Sequence, residues 1–250
     1  MEHKFIEELS LNHWPSLSML FYDGWVLRFA DGYTKRANSV NPIYDSTLDV
    51  KVKIKECENI YSANRLPTVF KITPFVHPAH LDKTLEDLGY TLIDTTSVQI
   101  LHLDRASEPL LTSAVIHEDI TPAWVEDYCR LSNTDAKNRN VMARMLSNIR
   151  TKMGFISLYC DGQVVACGRG VVEREYIGVY DIVTDEHFRN RGFGEQMVLN
   201  LLKWGKENGA KYSYLAVVAN NQPALRLYSK IGYEEIYRYW YRVKDRRLTT

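Results

Sequence analysis

Apolar and polar positions alternate with two different periods in the second half of the chain. Residues 176–183 (Tyr-Ile-Gly-Val-Tyr-Asp-Ile-Val) read as a buried strand, and Thr184, Asp185, Glu186 and His187 form a polar turn. Met197, Leu201 and Trp204 then recur at i, i+4, i+7, with Val198 and Leu202 on the same face, which predicts a helix. Gly209 stands where a left-handed C-cap belongs. Upstream, 114–117 reads as a strand, and Thr121-Pro122 opens a helix with a threonine cap and proline at the first position. Val141, Met145 and Ile149 predict another helix over 135–149, and strands 155–159 and 164–172 flank an Asp161-Gly162 turn. Downstream come a strand over 212–219 and a helix from Asn221 to the Gly232-Tyr233 step.

The first half has a similar alternation. A helix is predicted over 9–21 with Trp14-Pro15 near its start, then a strand over 25–29, a turn at Asp31-Gly32 and a loop over 38–44. A helix over 48–62, a strand over 68–73, a helical face of Leu81, Leu85 and Leu88 ending at Gly89, and a β-rich run over 91–103 complete it. Leu85-Glu86-Asp87-Leu88-Gly89-Tyr90 repeats the pattern of Tyr228-Ser229-Lys230-Ile231-Gly232-Tyr233. Tyr22-Asp23-Gly24-Trp25-Val26 likewise resembles the segment from Tyr159 to Val164. The polar, proline-containing run 104–113 suits a linker.

Composition narrows the class. The 250 residues are 45% hydrophobic and 25% charged, and 31 basic residues balance 31 acidic ones. A formal charge of zero argues against nucleic acid or an anionic membrane as the main partner. No apolar run reaches the roughly 18 residues of a membrane span, and the polar N-terminus lacks a signal-peptide core. The expected location is therefore cytoplasmic. Cys57, Cys129, Cys160 and Cys167 form no Cys-x-x-Cys pair, and His77 and His80 have no third ligand, so no metal is expected.

The turn between strand 176–183 and its helix is Arg189-Asn190-Arg191-Gly192-Phe193-Gly194. A helix N-terminus presents unpaired N–H groups and partial positive charge, and glycines let a ligand approach the backbone. Together with two arginines this is an anion site suited to a pyrophosphate. No Lys-Ser/Thr follows the glycines, and Met197 stands where a dinucleotide fingerprint needs its third glycine, so neither common nucleotide loop applies.

Arg-x-x-Gly-x-Gly after an apolar strand resembles the acyl-CoA pyrophosphate loop of the GNAT superfamily of N-acetyltransferases. Asn221, Ala224 and Tyr228 repeat that family's Asn-x-x-Ala-x-x-x-Tyr spacing, and Lys230-Ile231-Gly232-Tyr233 its helix-ending step. The resemblance spans about 115–243. It implies an α+β fold of two tandem GNAT-like domains, 1–112 and 113–250, each a mixed, mostly antiparallel sheet flanked by helices. The first would be a degenerate copy, since it lacks the Arg-x-x-Gly-x-Gly loop; the alternative is an unrelated small α+β domain.

The resemblance further implies acetyl-CoA as acyl donor and a small-molecule or amino-acid-like primary amine as acceptor. Arg189, Asn190, Arg191, Gly192, Phe193 and Gly194 would grip the pyrophosphate. Backbone amides of Ile182, Val183 and Thr184 would face pantetheine and carbonyl, in a slot where two parallel strands, 176–183 and 212–219, splay apart. Asn221 would contact the cofactor or cap its helix, and Tyr228 would protonate the departing thiolate. The base stays open. Some relatives carry a glutamate early in the central strand, where this chain has Gly178. Glu173, Glu175 and Asp181 lie nearby but read as charged hairpin edge, and Tyr180 could relay a proton through water. A lysine-type amine (pKa ~10.4) costs about 4.6 kcal/mol to free at neutral pH and an α-amine (pKa ~8) about 1.4 kcal/mol. Missing a placed base favours the second or a water path. A non-catalytic acyl-CoA-binding regulatory module is the alternative function. Tyr237, Tyr239, Trp240 and Tyr241 read as sheet packing, with an acceptor wall or a homodimer contact as the other reading.

Overall fold

A computed structural model describes residues 3–111 and 113–244. Thr112, beside the expected domain boundary, and the two ends of the expected domains, 1–2 and 245–250, lie outside the described residues. The first half runs α1 (His3–His13), β1 (Ser18–Tyr22), β2 (Trp25–Phe29), β3 (Val40–Asn41), α2 (Val50–Ala63), β4 (Thr68–Ile72), α3 (Leu81–Asp87) and β5 (Thr91–His102). The second runs β6 (Ala114–His117), α4 (Pro122–Ser132), α5 (Ala136–Leu146), β7 (Lys152–Cys160), β8 (Gln163–Glu173), β9 (Tyr176–Thr184), α6 (Phe193–Glu207), β10 (Tyr212–Val218), α7 (Gln222–Ile231) and β11 (Glu234–Lys244).

Local chemistry sets the element ends. Thr121 Oγ1 accepts from Trp124 N–H at 3.1 Å, so that cap acts as the sequence suggests, and Asp135 Oδ1 accepts from Asn138 N–H at 2.8 Å as a second cap. The helix expected over 9–21 is corrected. Pro15 lacks an N–H and disfavours helix before it, so α1 lies earlier and buries Ile6, Leu9 and His13. Residues 18–22 instead pair with β2 through a tight turn at Asp23 (φ 42°) and Gly24 (φ 80°). The loop expected over 38–44 contains the short strand β3, which pairs with β2 and β4.

The strands form one eleven-stranded mixed sheet in the order β1-β2-β3-β4-β11-β5-β10-β9-β8-β7-β6. Two separate sheets were expected, and this order corrects them. Each half gives its last strand to the other: β11 lies between β4 and β5, and β5 lies between β11 and β10. The order is close to symmetric about the β11–β5 seam. A hairpin (β1–β2, β7–β8) turns at an Asp-Gly in both halves, and a parallel pair follows in each (β3–β4, β9–β10). Matching helix ends complete the repeat. Tyr90 N–H reaches the Leu85 carbonyl and Tyr233 N–H the Tyr228 carbonyl, both at 3.0 Å, across Gly89 (φ 82°) and Gly232 (φ 107°).

Candidate functional site

The sheet opens at one place. β9 and β10 pair in parallel only at Tyr176↔Tyr212, Ile177↔Ser213 and Gly178↔Tyr214. Beyond Gly178, β9 stays with β8 and β10 stays with β5, so the strands diverge. A bulge helps cause this. Asp181 takes φ 55°, and the β8 partners step from Tyr180↔Arg169 to Val183↔Cys167, so two residues of β9 oppose Gly168 alone. Such a bulge bends its strand away from its neighbour. The expected splayed slot is present here.

The loop 189–194 lies at one end of the slot. Asp185 accepts from His187 N–H at 2.9 Å and starts the turn, then Asn190 (φ 59°) and Gly192 (φ 84°) both adopt the left-handed region. The first helical bond of α6 is Gln196 N–H to the Gly192 carbonyl at 3.0 Å. The N–H groups of Phe193, Gly194 and Glu195 therefore have no intrahelical acceptor. Gly192 caps without a side chain, which leaves them open to a ligand. Arg189 Nε lies 3.4 Å from the Thr184 carbonyl.

A cavity of about 1270 Å³ fills the slot. Ile182, Val183, Thr184, Arg189, Asn190, Gly192, Phe193, Gly194, Asn221 and Tyr228 line it; of the expected site residues only Arg191 does not. The Arg191 guanidinium lies over the rings of Phe188 and Phe193, at 5.0 and 5.4 Å. Asn221 Oδ1 accepts from Ala224 N–H at 3.3 Å, so it caps α7 while lining the cavity. Tyr228 is buried, its hydroxyl has no hydrogen-bond partner among the described residues, and burial pushes its pKa up to about 12. No group of three or more His, Cys, Asp or Glu residues among the described residues could hold a metal ion.

The sequence did not reveal what the first half adds. Trp14, Tyr33, Thr34, Arg36, Asp94 and Thr96 form part of the cavity wall. No local motif marks them; β5 carries two of them into place by its insertion beside β10. The acidic residues near β9 also divide. Glu175 pairs with Lys211 at the surface, as a hairpin edge should. Asp181 does not: its nearly buried carboxylate pairs with Arg169, which is wholly buried and lies over the rings of Trp14 and Tyr180.

Glu173 joins a buried chain of polar groups. Tyr180 and Tyr214 share a hydrogen bond at 2.7 Å, and Tyr214 shares another at 2.7 Å with Nδ1 of His13. His13 Nε2 stands 3.3 Å from the Glu173 carboxylate, poorly aligned for a hydrogen bond but close enough for charge to matter. Burial lowers the His13 pKa, so the ring favours the neutral state. Burial also raises Tyr180 to about 12 and Tyr214 well above its ordinary value. Glu173 is lowered, first by the His13 ring beside it. The cluster occupies the space in front of Gly178: a Cβ there would lie 2.8 Å from His13 Nδ1 and 2.8 Å from the Tyr214 hydroxyl.

Comparison with known proteins agrees with this geometry. The family described as "Probable histone acetyltransferase Rv0428c C-terminal" matches residues 2–242. The chain is 28% identical over 244 residues to the "Uncharacterized N-acetyltransferase YobR" of Bacillus subtilis, covering 96% of this chain and 97% of that protein. Among solved structures, a GCN5-related N-acetyltransferase from Kribbella flavida superposes with a TM-score of 0.71 at 14% identity, over 96% of this chain and 95% of that one. A tandem GNAT protein from the clavulanic acid biosynthesis pathway superposes with a TM-score of 0.62 at 13% identity, over 88% of this chain and 77% of that one. At such identities these two likenesses speak for the fold.

Proposed function

We propose, from the premise that the chain belongs to this GNAT-fold N-acetyltransferase family, that it transfers an acetyl group from acetyl-CoA to a primary amine of a small-molecule or amino-acid-like acceptor. The amine attacks directly in a ternary complex. The observation that carries this reading is the row of free N–H groups at the mouth of α6, facing a slot opened by the β9–β10 fork. Anions bind at such helix starts, and Arg189 lines the same cavity. The donor set therefore fits the pyrophosphate of acetyl-CoA. Acetyl-CoA supplies the activated acyl group.

The chain's own residues supply the rest. Backbone amides of Ile182, Val183 and Thr184, which line the cavity past the β9 bulge, are the groups this reading assigns to polarising the carbonyl. Tyr228, protonated across the assay range, gives its proton to the departing sulfur. Tyr180, Tyr214 and His13 form a hydrogen-bonded line from the cavity wall towards Glu173, along which the proton of the attacking ammonium leaves. We assign 1–112 as the degenerate repeat, which contributes a wall, and 113–250 as the repeat that holds the donor.

The test pairs calorimetry with a thiol-release assay. Acetyl-CoA binds the wild type, and Arg189→Ala weakens it while leaving the melting temperature unchanged. A panel of primary amines then elicits free CoA. Binding with no turnover on any amine would move the protein to the acyl-CoA-binding module; no change in affinity for Arg189→Ala would remove the loop from the donor site.

A further inference from the structure

We infer that the acceptor carries a carboxylate beside its amine, and that Arg36 of the first half binds it. This rests on the acetyltransferase reading and names the class of acceptor for that same site. The inference starts from the charges on the cavity wall. Six ionisable acidic or basic side chains line it: Lys35, Arg36, Asp94, Asp181, Arg189 and Glu195. Lys35 pairs with Asp94 at 2.8 Å, Asp181 pairs with Arg169 and Glu195 pairs with Lys230. Arg36 and Arg189 have no carboxylate partner among the described residues; the Arg36 side chain hydrogen-bonds with the Tyr239 hydroxyl. Two cations with no carboxylate beside them therefore face one cavity.

They face it at different ends. Arg189 contacts the carbonyl of Thr184, at the loop. Arg36 sits by Trp14, with its guanidinium carbon 5.2 Å from that ring, and within the field of Tyr180 and Tyr239. Tyr180 lies four strand residues before Thr184, about 13 Å along β9. The donor's phosphates engage the Arg189 end. An anion at the Arg36 end, past the fork, belongs to the other substrate. A second unmet donor lies close by: Arg169 Nη2 is buried with no hydrogen-bond partner. A half-buried guanidinium stacked on an indole is held in one plane, and its two-pronged edge matches a carboxylate. The stack also fixes the side chain before the ligand arrives, which lowers the cost of binding.

The inference predicts selectivity. Thiol release is measured with matched sets of amino acids, their carboxamides and the decarboxylated amines, with aminosulfonate and aminophosphate analogues as a further arm. The wild type should prefer carboxylates by about 10- to 100-fold in kcat/KM. Arg36→Gln should erase that preference through the acceptor KM, leaving the carboxamide rate and the acetyl-CoA KM unchanged, and Arg36→Lys should restore part of it. Carboxamides used as well as acids by the wild type, a preference for sulfonate or phosphate, or an unchanged preference in Arg36→Gln would each overturn it. Where no amine in the sets is turned over, the CoA-loaded wild type is titrated with N-acetylated amino acids and their amides. Tighter binding of the acids supports the inference, and equal or no binding refutes it. Failure of CoA itself to bind strikes the acetyltransferase reading and this one with it, whereas CoA binding without carboxylate preference strikes this one alone. The wild-type comparison stands even if Arg36→Gln fails to fold.

Discussion

Gly178→Ala probes the fork where the site begins. Gly178 is the last β9 residue paired with β10. An added Cβ would lie 2.6 Å from Tyr180 Cε2, 2.8 Å from His13 Nδ1 and 2.8 Å from the Tyr214 hydroxyl. All three side chains are at most 5% exposed, so none can swing into solvent. Overpacking of this kind costs about 1–3 kcal/mol. Displacing the rings also disturbs two hydrogen bonds of 2.7 Å, each contributing about 1 kcal/mol. A loss near 3 kcal/mol is expected, which for a chain of this length lowers the melting temperature by about 6–12 °C. Gly192→Ala is the control. Nothing lies within 4 Å of its Cβ position, and only the φ of 84° opposes alanine. That strain costs about 1–2 kcal/mol. Calorimetric melting of both variants decides the matter, joined by acetyl-CoA titration. Of the two variants Gly178→Ala should melt at the lower temperature and keep donor affinity, whereas Gly192→Ala should lose less stability and lose affinity. A Gly178→Ala protein at least as stable as Gly192→Ala would show that the buried chain does not fill that space.

Tyr228→Phe should lower kcat by about 10²–10⁴ with acetyl-CoA affinity and melting temperature unchanged, as stopped-time thiol release and calorimetry would show. His13→Gln tests the buried ring through pH: the folded pKa lies below 6.5, so the unfolded chain takes up the proton first and wild-type stability falls as pH drops from 6.5 towards the folded value. Urea midpoints across that window should slope for the wild type and flatten for His13→Gln; Glu173, whose pKa is lowered from 4.5, gives its own loss only further down. Calorimetry should also return one acetyl-CoA site per chain, and a second site in the first half would contradict the reading of that half as degenerate.

Local signals were legible in the sequence and long-range pairing was not. Thr121, Asn221 and the two Asp-Gly turns act within a few residues of themselves, so their roles follow from spacing. The turn at 189–194 is of the same kind, because its glycines and the start of α6 are contiguous. The exchange of β5 and β11 depends on pairings more than a hundred residues apart, such as Tyr237↔Val98, and no local pattern encodes it. His13 and Arg36 were missed for the same reason. Each is a single polar residue in the first half, and only the shared sheet brings it to β9. The helix over 9–21 was misplaced because apolar spacing outweighed Pro15, which is the stronger local constraint.

The near-symmetry of the sheet lets the two helix starts be compared. In the symmetric sheet α2 of the first half stands where α6 stands in the second, each following a strand of the parallel pair and preceding its partner. The N–H groups at the start of α6 are free, and Gly192 offers no side-chain cap. Those at the start of α2 are taken: Asp49 accepts from Lys51 and Val52, at 2.9 and 3.1 Å. Just before them, the carboxylate of Asp23 accepts from the N–H groups of Thr47 and Leu48 and pairs with Lys53. The chain's own carboxylates thus hold the place that a pyrophosphate would need, and an external anion could enter only by displacing them. With the start of α2 capped from within, the first half keeps the strand exchange and lends Trp14, Arg36 and Asp94 to the wall of the cavity beside α6.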